Sequence, residues 1–220
     1  RAFISRTDFD QGPPPPDPTG WEYGYGHYDS GSKKVDSFTA FEHYVDGSWR
    51  PKEELPNDEF GYVSISKGGG HPGNIPEHAA IQRWIAPRDG TVTLSARLKH
   101  PNEKGDGVVG QIVSSRIGLI HTYTVLNGSD EAEHEGIPVQ KGDTIDFVAS
   151  PGSGPAYDSF TWSIKVGMDT PENSAGQSIV TDWDTRKDFA GPSPAPPEPL
   201  SPWGQLAQVL LLTNEFMYID

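Results

Sequence analysis

There is no cysteine in the 220 residues of this chain. That excludes disulfides, thiolate metal sites, cysteine nucleophiles and covalently attached haem. It does not weigh against secretion, because a domain of this size can bury enough apolar surface without cross-links. Positive charge is scarce as well. Seventeen Lys and Arg stand against 31 Asp and Glu, a formal net charge of −14. Such a surface repels nucleic acid and anionic membranes, so neither is expected as a partner, and it attracts divalent cations. No apolar run is long enough to span a bilayer, and no charged-then-apolar leader opens the chain. It begins with Arg1 rather than Met, which reads as a processed product or a piece of something longer.

Signatures of catalysis are also missing. The sequence holds no Gly-x-Ser-x-Gly elbow and no His-Glu-x-x-His helix. Its seven histidines are scattered, and His71 and His78 are spaced too widely for one helix face. Carboxylate pairs suited to glycoside hydrolysis are easy to nominate in so acidic a chain, so nominating them carries little weight.

What the chain has in abundance is turn formers, 25 Gly and 21 Pro, between short alternating runs. This describes an all-β domain. The clearest organiser is the stretch from Gly142 to Val166. In its second run Phe160, Trp162, Ile164 and Val166 alternate with Ser159, Thr161, Ser163 and Lys165, a strand with one buried face. In its first run Ile145, Phe147 and Ala149 alternate with Thr144, Asp146 and Val148. The Ser, Pro and Gly between them suit a long hairpin or a crossover between two sheets. Further strands are expected at Trp21–Tyr28, Phe38–Val45, Tyr62–Ser66, Ala79–Ala86, Thr91–Lys99, Val108–Ser115 and Gly118–Leu126. Pro51–Phe60 and Asn127–Gly136 read as acidic loops, and Gly68–Gly73 as a glycine loop of close backbone approach. The fold class is mainly β, a jelly-roll-like β-sandwich followed by a Pro-rich linker and one C-terminal α-helix.

Four segments follow from this pattern. Residues 1–19 are a Pro-rich arm, a recognition tail or an interdomain spacer. Residues 20–168 are the sandwich, and 169–200 an irregular Pro-rich linker. Residues 201–220 are a docking helix, with Ser201 as N-cap and Pro202 in the first turn. Trp203, Leu206, Leu210 and Phe216 spread around more than one stripe of that helix. They are the candidate contacts to upstream helices of the same protein or to a neighbouring subunit. Deleting the helix should leave the β-domain folded and break that assembly.

Candidate ligand residues are the aromatics Trp21, Tyr23, Tyr25, Tyr28 and Trp49, together with His71. Rings on a strand can form a platform that stacks on sugars. The plainer alternative is that Trp21, Tyr23 and Tyr25, sharing one face, fill the sandwich. His71 either serves a ligand or closes its own loop by a hydrogen bond.

Several motifs resemble one family when taken together. They are Trp21-x-Tyr-Gly-Tyr-Gly, Gly69-Gly-His-Pro-Gly, Arg83-Trp-x-Ala-Pro-Arg-Asp-Gly90, Gly105-Asp-Gly-Val, Ile112-Val-Ser-Ser-Arg116, Gly142-Asp-Thr-Ile-Asp-Phe147 and Asp158-Ser-Phe-Thr-Trp162. With the closing run Leu206–Phe216 they resemble the C-terminal region of planctomycete proteins. These are large secreted proteins that combine a cytochrome c-like segment with domains of unknown function. The resemblance implies a secreted, periplasmic or cell-surface location, a multidomain setting and carbohydrate binding by the jelly-roll part. Without cysteine the chain holds no covalent haem, and no electron-transfer residue carries over. Jelly-roll binding modules often hold a structural calcium between a carboxylate of the first strand and one at the start of the last. Glu22 and Asp158 are the matching pair. The alternative for Asp158 is that it accepts backbone hydrogen bonds in its turn.

The functional expectation is a non-catalytic module that binds a glycan or extracellular matrix. A purely structural domain docking haem-bearing or helical parts is the second reading, and a glycan-active enzyme the third.

Overall fold

The alternating runs become two antiparallel sheets in the computed structural model, which describes residues 20–168 and 182–192. In chain order the strands are β1 Trp21–Asp29, β2 Lys34–Ala40, β3 His43–Val45, β4 Ser48–Arg50, β5 Ser64–Ser66, β6 Gly69–His71 and β7 Ala79–Ile85. They continue as β8 Gly90–His100, β9 Val108–Ser114, β10 Gly118–Val125, β11 Gly128–Val139, β12 Thr144–Pro151, β13 Phe160–Met168 and β14 Asp182–Asp184. One sheet has the order β10-β9-β12-β7-β1-β2. The other runs β11-β8-β13-β6-β5-β4-β3, with β14 also paired to β13.

The chain passes from sheet to sheet at β2–β3, β6–β7, β7–β8, β8–β9, β10–β11, β11–β12 and β12–β13. Such repeated crossing is the jelly-roll habit, and it leaves the two inner faces to pack on each other. The Gly142–Val166 stretch is therefore a crossover and not a hairpin. β12 lies between β9 and β7 in one sheet, and β13 beside β8 in the other. Phe160, Trp162, Ile164 and Val166 all point into the core, as do Val92, Leu94, Ala96 and Leu98 of β8. Each such burial contributes about 1.5–3 kcal/mol. Trp162 is the hub, its ring edge-on to Tyr123, Phe147 and Phe160 with centroids 5.6, 5.8 and 6.3 Å away.

β12 is buried on both faces. Behind it Val148 joins Ala79, Ile81 and Val113 in a second apolar cluster, against which Phe38, Tyr28 and Val35 pack. There the buried Asp146 accepts two hydrogen bonds from Arg83, at 2.6 and 3.0 Å. The Phe38 ring lies 3.8 Å from that guanidinium.

Four sequence expectations need correction. The acidic stretch 127–136 is not a loop but most of β11, paired along β8. The glycine stretch at 68–73 contains a strand, β6, held between β5 and β13. Phe38–Val45 is not one strand, because β2 and β3 belong to different sheets. The linker assigned to 169–200 contains a piece of the sandwich: Trp183 is in the core, Phe189 packs against it, and Thr185 is buried. The Pro-rich arm 1–19 lies outside the described residues. So does the C-terminal helix with Trp203, Leu206, Leu210 and Phe216.

Candidate functional site

On the outer face of β4, β5, β6 and β13 lies an open groove of about 870 Å³. Its floor is shallow because the residues there are small. Ser64 and Ser66 point outward while Val63 and Ile65 are fully buried. Next to them β6 offers only Gly69 and Gly70. A β-carbon on Gly69 would collide with the Phe160 carbonyl, and one on Gly70 with the Ser64 carbonyl. Glycine is what lets β6 wedge between β5 and β13 here. Thr161 completes the floor.

The walls carry the chemistry. Tyr62 continues the outward phase of Ser64 and Ser66 and is 51% exposed. The His71 ring stands beside it, centroids 5.5 Å apart. Nδ1 of His71 lies 2.6 Å from the Pro72 carbonyl. A carbonyl only accepts, so Nδ1 carries the proton and Nε2 is left as an acceptor. Burial holds the His71 pKa below its usual value, so the ring is neutral at pH 7. Lys67, in the two-residue turn between β5 and β6, supplies a cation at the rim.

Arg186 supplies another, and the segment assigned from sequence to the linker puts it there. β6 pairs with β13 only at Phe160 and Thr161, and β14 only from Lys165 to Gly167. The backbone between them would be left without partners. Gly68 accepts the Trp162 amide at 3.0 Å. Thr185 closes the rest, its hydroxyl accepting the Ile164 amide and its own amide donating to the Ile164 carbonyl, both at 3.1 Å. Trp183 anchors the segment against Trp84, with centroids 5.2 Å apart. Trp49 donates its indole N–H to the Ala190 carbonyl at 2.8 Å.

A second recess of about 450 Å³ adjoins the groove and shares Thr161 and Arg186 with it. Arg97, Lys99 and Ser163 line the rest. Together they make one channel on this face, with Lys67, Arg186, Arg97 and Lys99 along it and Asp46 as the one acid of the lining. Arg97 pairs with Glu131 at 3.1 Å. The other three side chains have no ion-pair partner among the described residues.

The residues chosen from sequence are mostly elsewhere. Trp21 and Tyr23 are buried in the core, so their rings cannot stack on a ligand. Tyr25 is wedged against Phe41, Phe60 and His78. Tyr28 is half-buried on the back of the other sheet. Trp49 is half-buried and committed to Ala190 and Tyr44. Only His71 lines the groove. Sequence reading missed Tyr62, Lys67 and Arg186. The first was legible as the outward partner of Ser64 and Ser66, but nothing local marked Arg186.

Glu22 and Asp158 do not converge. Glu22 pairs with Arg83, and Arg83 with Asp146. Asp158 follows the loop that leaves β12 after Pro151, five residues further on. At about 3.3 Å per residue this separates them by roughly 16 Å along the strands. Glu22 also faces away from the core, on the opposite side of β1 from Trp21 and Tyr23. No calcium can bridge that pair.

No family model matches the chain, and no curated protein does. Among solved structures it is similar to a family 35 carbohydrate binding module from an environmental isolate, at 18% identity and a TM-score of 0.32. That match covers 57% of this chain and 90% of the other. It is also similar to the Podospora anserina GH26-CBM35 β-(1,4)-mannanase, at 12% identity and a TM-score of 0.30, over 71% of this chain and 29% of that one. Likenesses of this degree carry no functional argument, which has to come from the groove.

Proposed function

We infer that this chain is a non-catalytic carbohydrate-binding β-sandwich, working as a module of a larger secreted protein, and that the groove over β5, β6 and β13 takes the glycan. One observation carries this reading: a half-exposed tyrosine ring borders an open, shallow trough floored by Gly, Ser and Thr. A sugar presents an apolar C–H face and a rim of hydroxyls. Tyr62 suits the face, while Ser64, Ser66, Thr161 and the His71 Nε2 suit the hydroxyls. The floor lets a flat ring settle without displacing side chains. Three cations without an ion-pair partner among the described residues, Lys67, Lys99 and Arg186, against one acid of the lining, Asp46, in a chain of net charge −14, favour a carboxylated or sulfated glycan over a neutral one.

The test is retention on immobilised neutral, carboxylated and sulfated polysaccharides, comparing the parent chain with Tyr62→Ala and Arg186→Ala. Tyr62→Ala should weaken binding about tenfold or more, equivalent to about 1.4 kcal/mol. Arg186→Ala should weaken binding to the acidic polymers selectively. Binding that ignores both substitutions, or retention on none of the polymers, overturns the reading.

A further inference from the structure

The two ends of the channel differ in chemistry, and strand register separates them. Ser66, Gly69, Thr161 and Lys99 pair in succession, forming one row across β5, β6, β13 and β8. The aromatic rings stand on one side of this row. His71 is two residues along β6 from Gly69, paired with Ser64, and the Tyr62 ring is beside it. Arg97 is on the other side, two residues along β8 from Lys99 and paired with Ser163. Lys67 turns away on that side too, since the chain leaves Ser66 there before entering β6 at Gly69.

Charge follows the same division. At the ring end the lining residues Tyr62, Ser64, Gly70 and Ser159 carry no charge, and burial keeps the His71 ring neutral at pH 7. The second recess is lined by Arg97, Lys99, Thr161, Ser163 and Arg186, none of them acidic. Asp46 is in the β3–β4 turn, beyond β5 and β6 from that recess. Between the two ends the floor is Gly69, Gly70 and Thr161, with no large side chain to interrupt a ligand.

Strands lie about 4.8 Å apart and rise about 3.3 Å per residue. From His71 the backbone at Lys99 is therefore roughly 12 Å away, and that at Arg97 roughly 16 Å. A sugar unit in an extended chain advances about one strand spacing, roughly 5 Å, so the two ends are about two to three linkages apart.

We propose, resting on the glycan reading of this groove, that it is a two-part site for a linear glycan of about four sugars or longer. An uncharged sugar rests on Tyr62 and His71, while a carboxylate or sulfate further along the same chain is held in the recess by Arg186 and Lys99. A polymer charged on every unit would set an anion against the ring end, where no cation compensates its lost water. A wholly neutral polymer would leave the recess cations without a counter-charge. The matching ligand mixes charged and uncharged units.

Calorimetric titration of the full chain with hyaluronan oligosaccharides of two, four and six sugars, which alternate carboxylated and uncharged units, tests this. Galacturonate oligosaccharides of the same lengths, charged on every unit, are the comparison. The hyaluronan tetrasaccharide should bind about tenfold or more tighter than the disaccharide, the hexasaccharide little tighter again, and the galacturonates should gain less with length. Tyr62→Ala should remove the gain from two sugars to four. Arg186→Ala should weaken both lengths by a similar factor and so keep the gain. Affinity that ignores length, an equal gain for the galacturonates, or a gain that survives Tyr62→Ala overturns the two-part site and leaves a glycan-binding groove standing. Binding of none of these oligosaccharides overturns both readings together.

Discussion

Gly69 and Gly68 are neighbours with opposite tolerances. A β-carbon on Gly69 would strike the Phe160 carbonyl and stand 2.7 Å from the Thr161 Cα, whereas one on Gly68 meets nothing within 4 Å. Both obstacles at Gly69 are backbone and cannot swing aside. Gly69→Ala should therefore cost about 1–3 kcal/mol in urea unfolding, and Gly68→Ala close to nothing. Equal costs would mean that β6 is not wedged as described. The run of three glycines announced a close approach in the sequence. It could not announce a strand, because residues without side chains leave no alternation to read. His71 illustrates the same limit. Its unusual neighbours singled it out, but its partner, Tyr62, only comes beside it once β5 and β6 pair.

Among the elements, the strands whose apolar residues alternate without interruption were legible: β8 and β13 appear where Val92–Leu98 and Phe160–Val166 placed them. β11 was hidden by a change of phase. Its inward residues are Ala132 and the half-buried His134, then Ile137 and Val139, even positions and then odd. A bulge at Glu135 and Gly136, with φ of +69° at the glycine, makes the switch. Four acids in that stretch completed the disguise. The segment from Asp182 to Ala190 was hidden for another reason. It holds two aromatic anchors, Trp183 and Phe189, too far apart to show a period, and it pairs with a strand many residues earlier. Trp183→Ala should destabilise the domain by about 3–5 kcal/mol in chemical denaturation. It should also loosen Arg186 and so weaken binding to acidic glycan in parallel with the fold. A variant that loses no stability would show that this segment does not belong to the sandwich.

On the scale of the whole molecule, charge is sorted by position. The cations of the channel sit on one broad face, while Asp130, Glu131, Glu133 and Glu135 line the rim formed by β11. A polyanion is drawn to the channel cations and repelled by the acidic rim of β11, which orients the encounter before any contact is made. The acidic rim has a further consequence. Among the described residues β11 is the outermost strand of its sheet, twelve residues long, with no strand paired on its outer flank, and such a flank is a template on which another chain can extend the sheet. A second copy adding there would bring one row of glutamates against another, and the kink at Gly136 would break the ladder partway. Changing Glu131, Glu133 and Glu135 together to Gln should leave the fold intact, since the Arg97–Glu131 pair is exposed and contributes little. In size-exclusion chromatography the variant should elute as larger, concentration-dependent species. If it elutes as the parent chain does, the kink alone is enough to keep neighbouring molecules from knitting their sheets together.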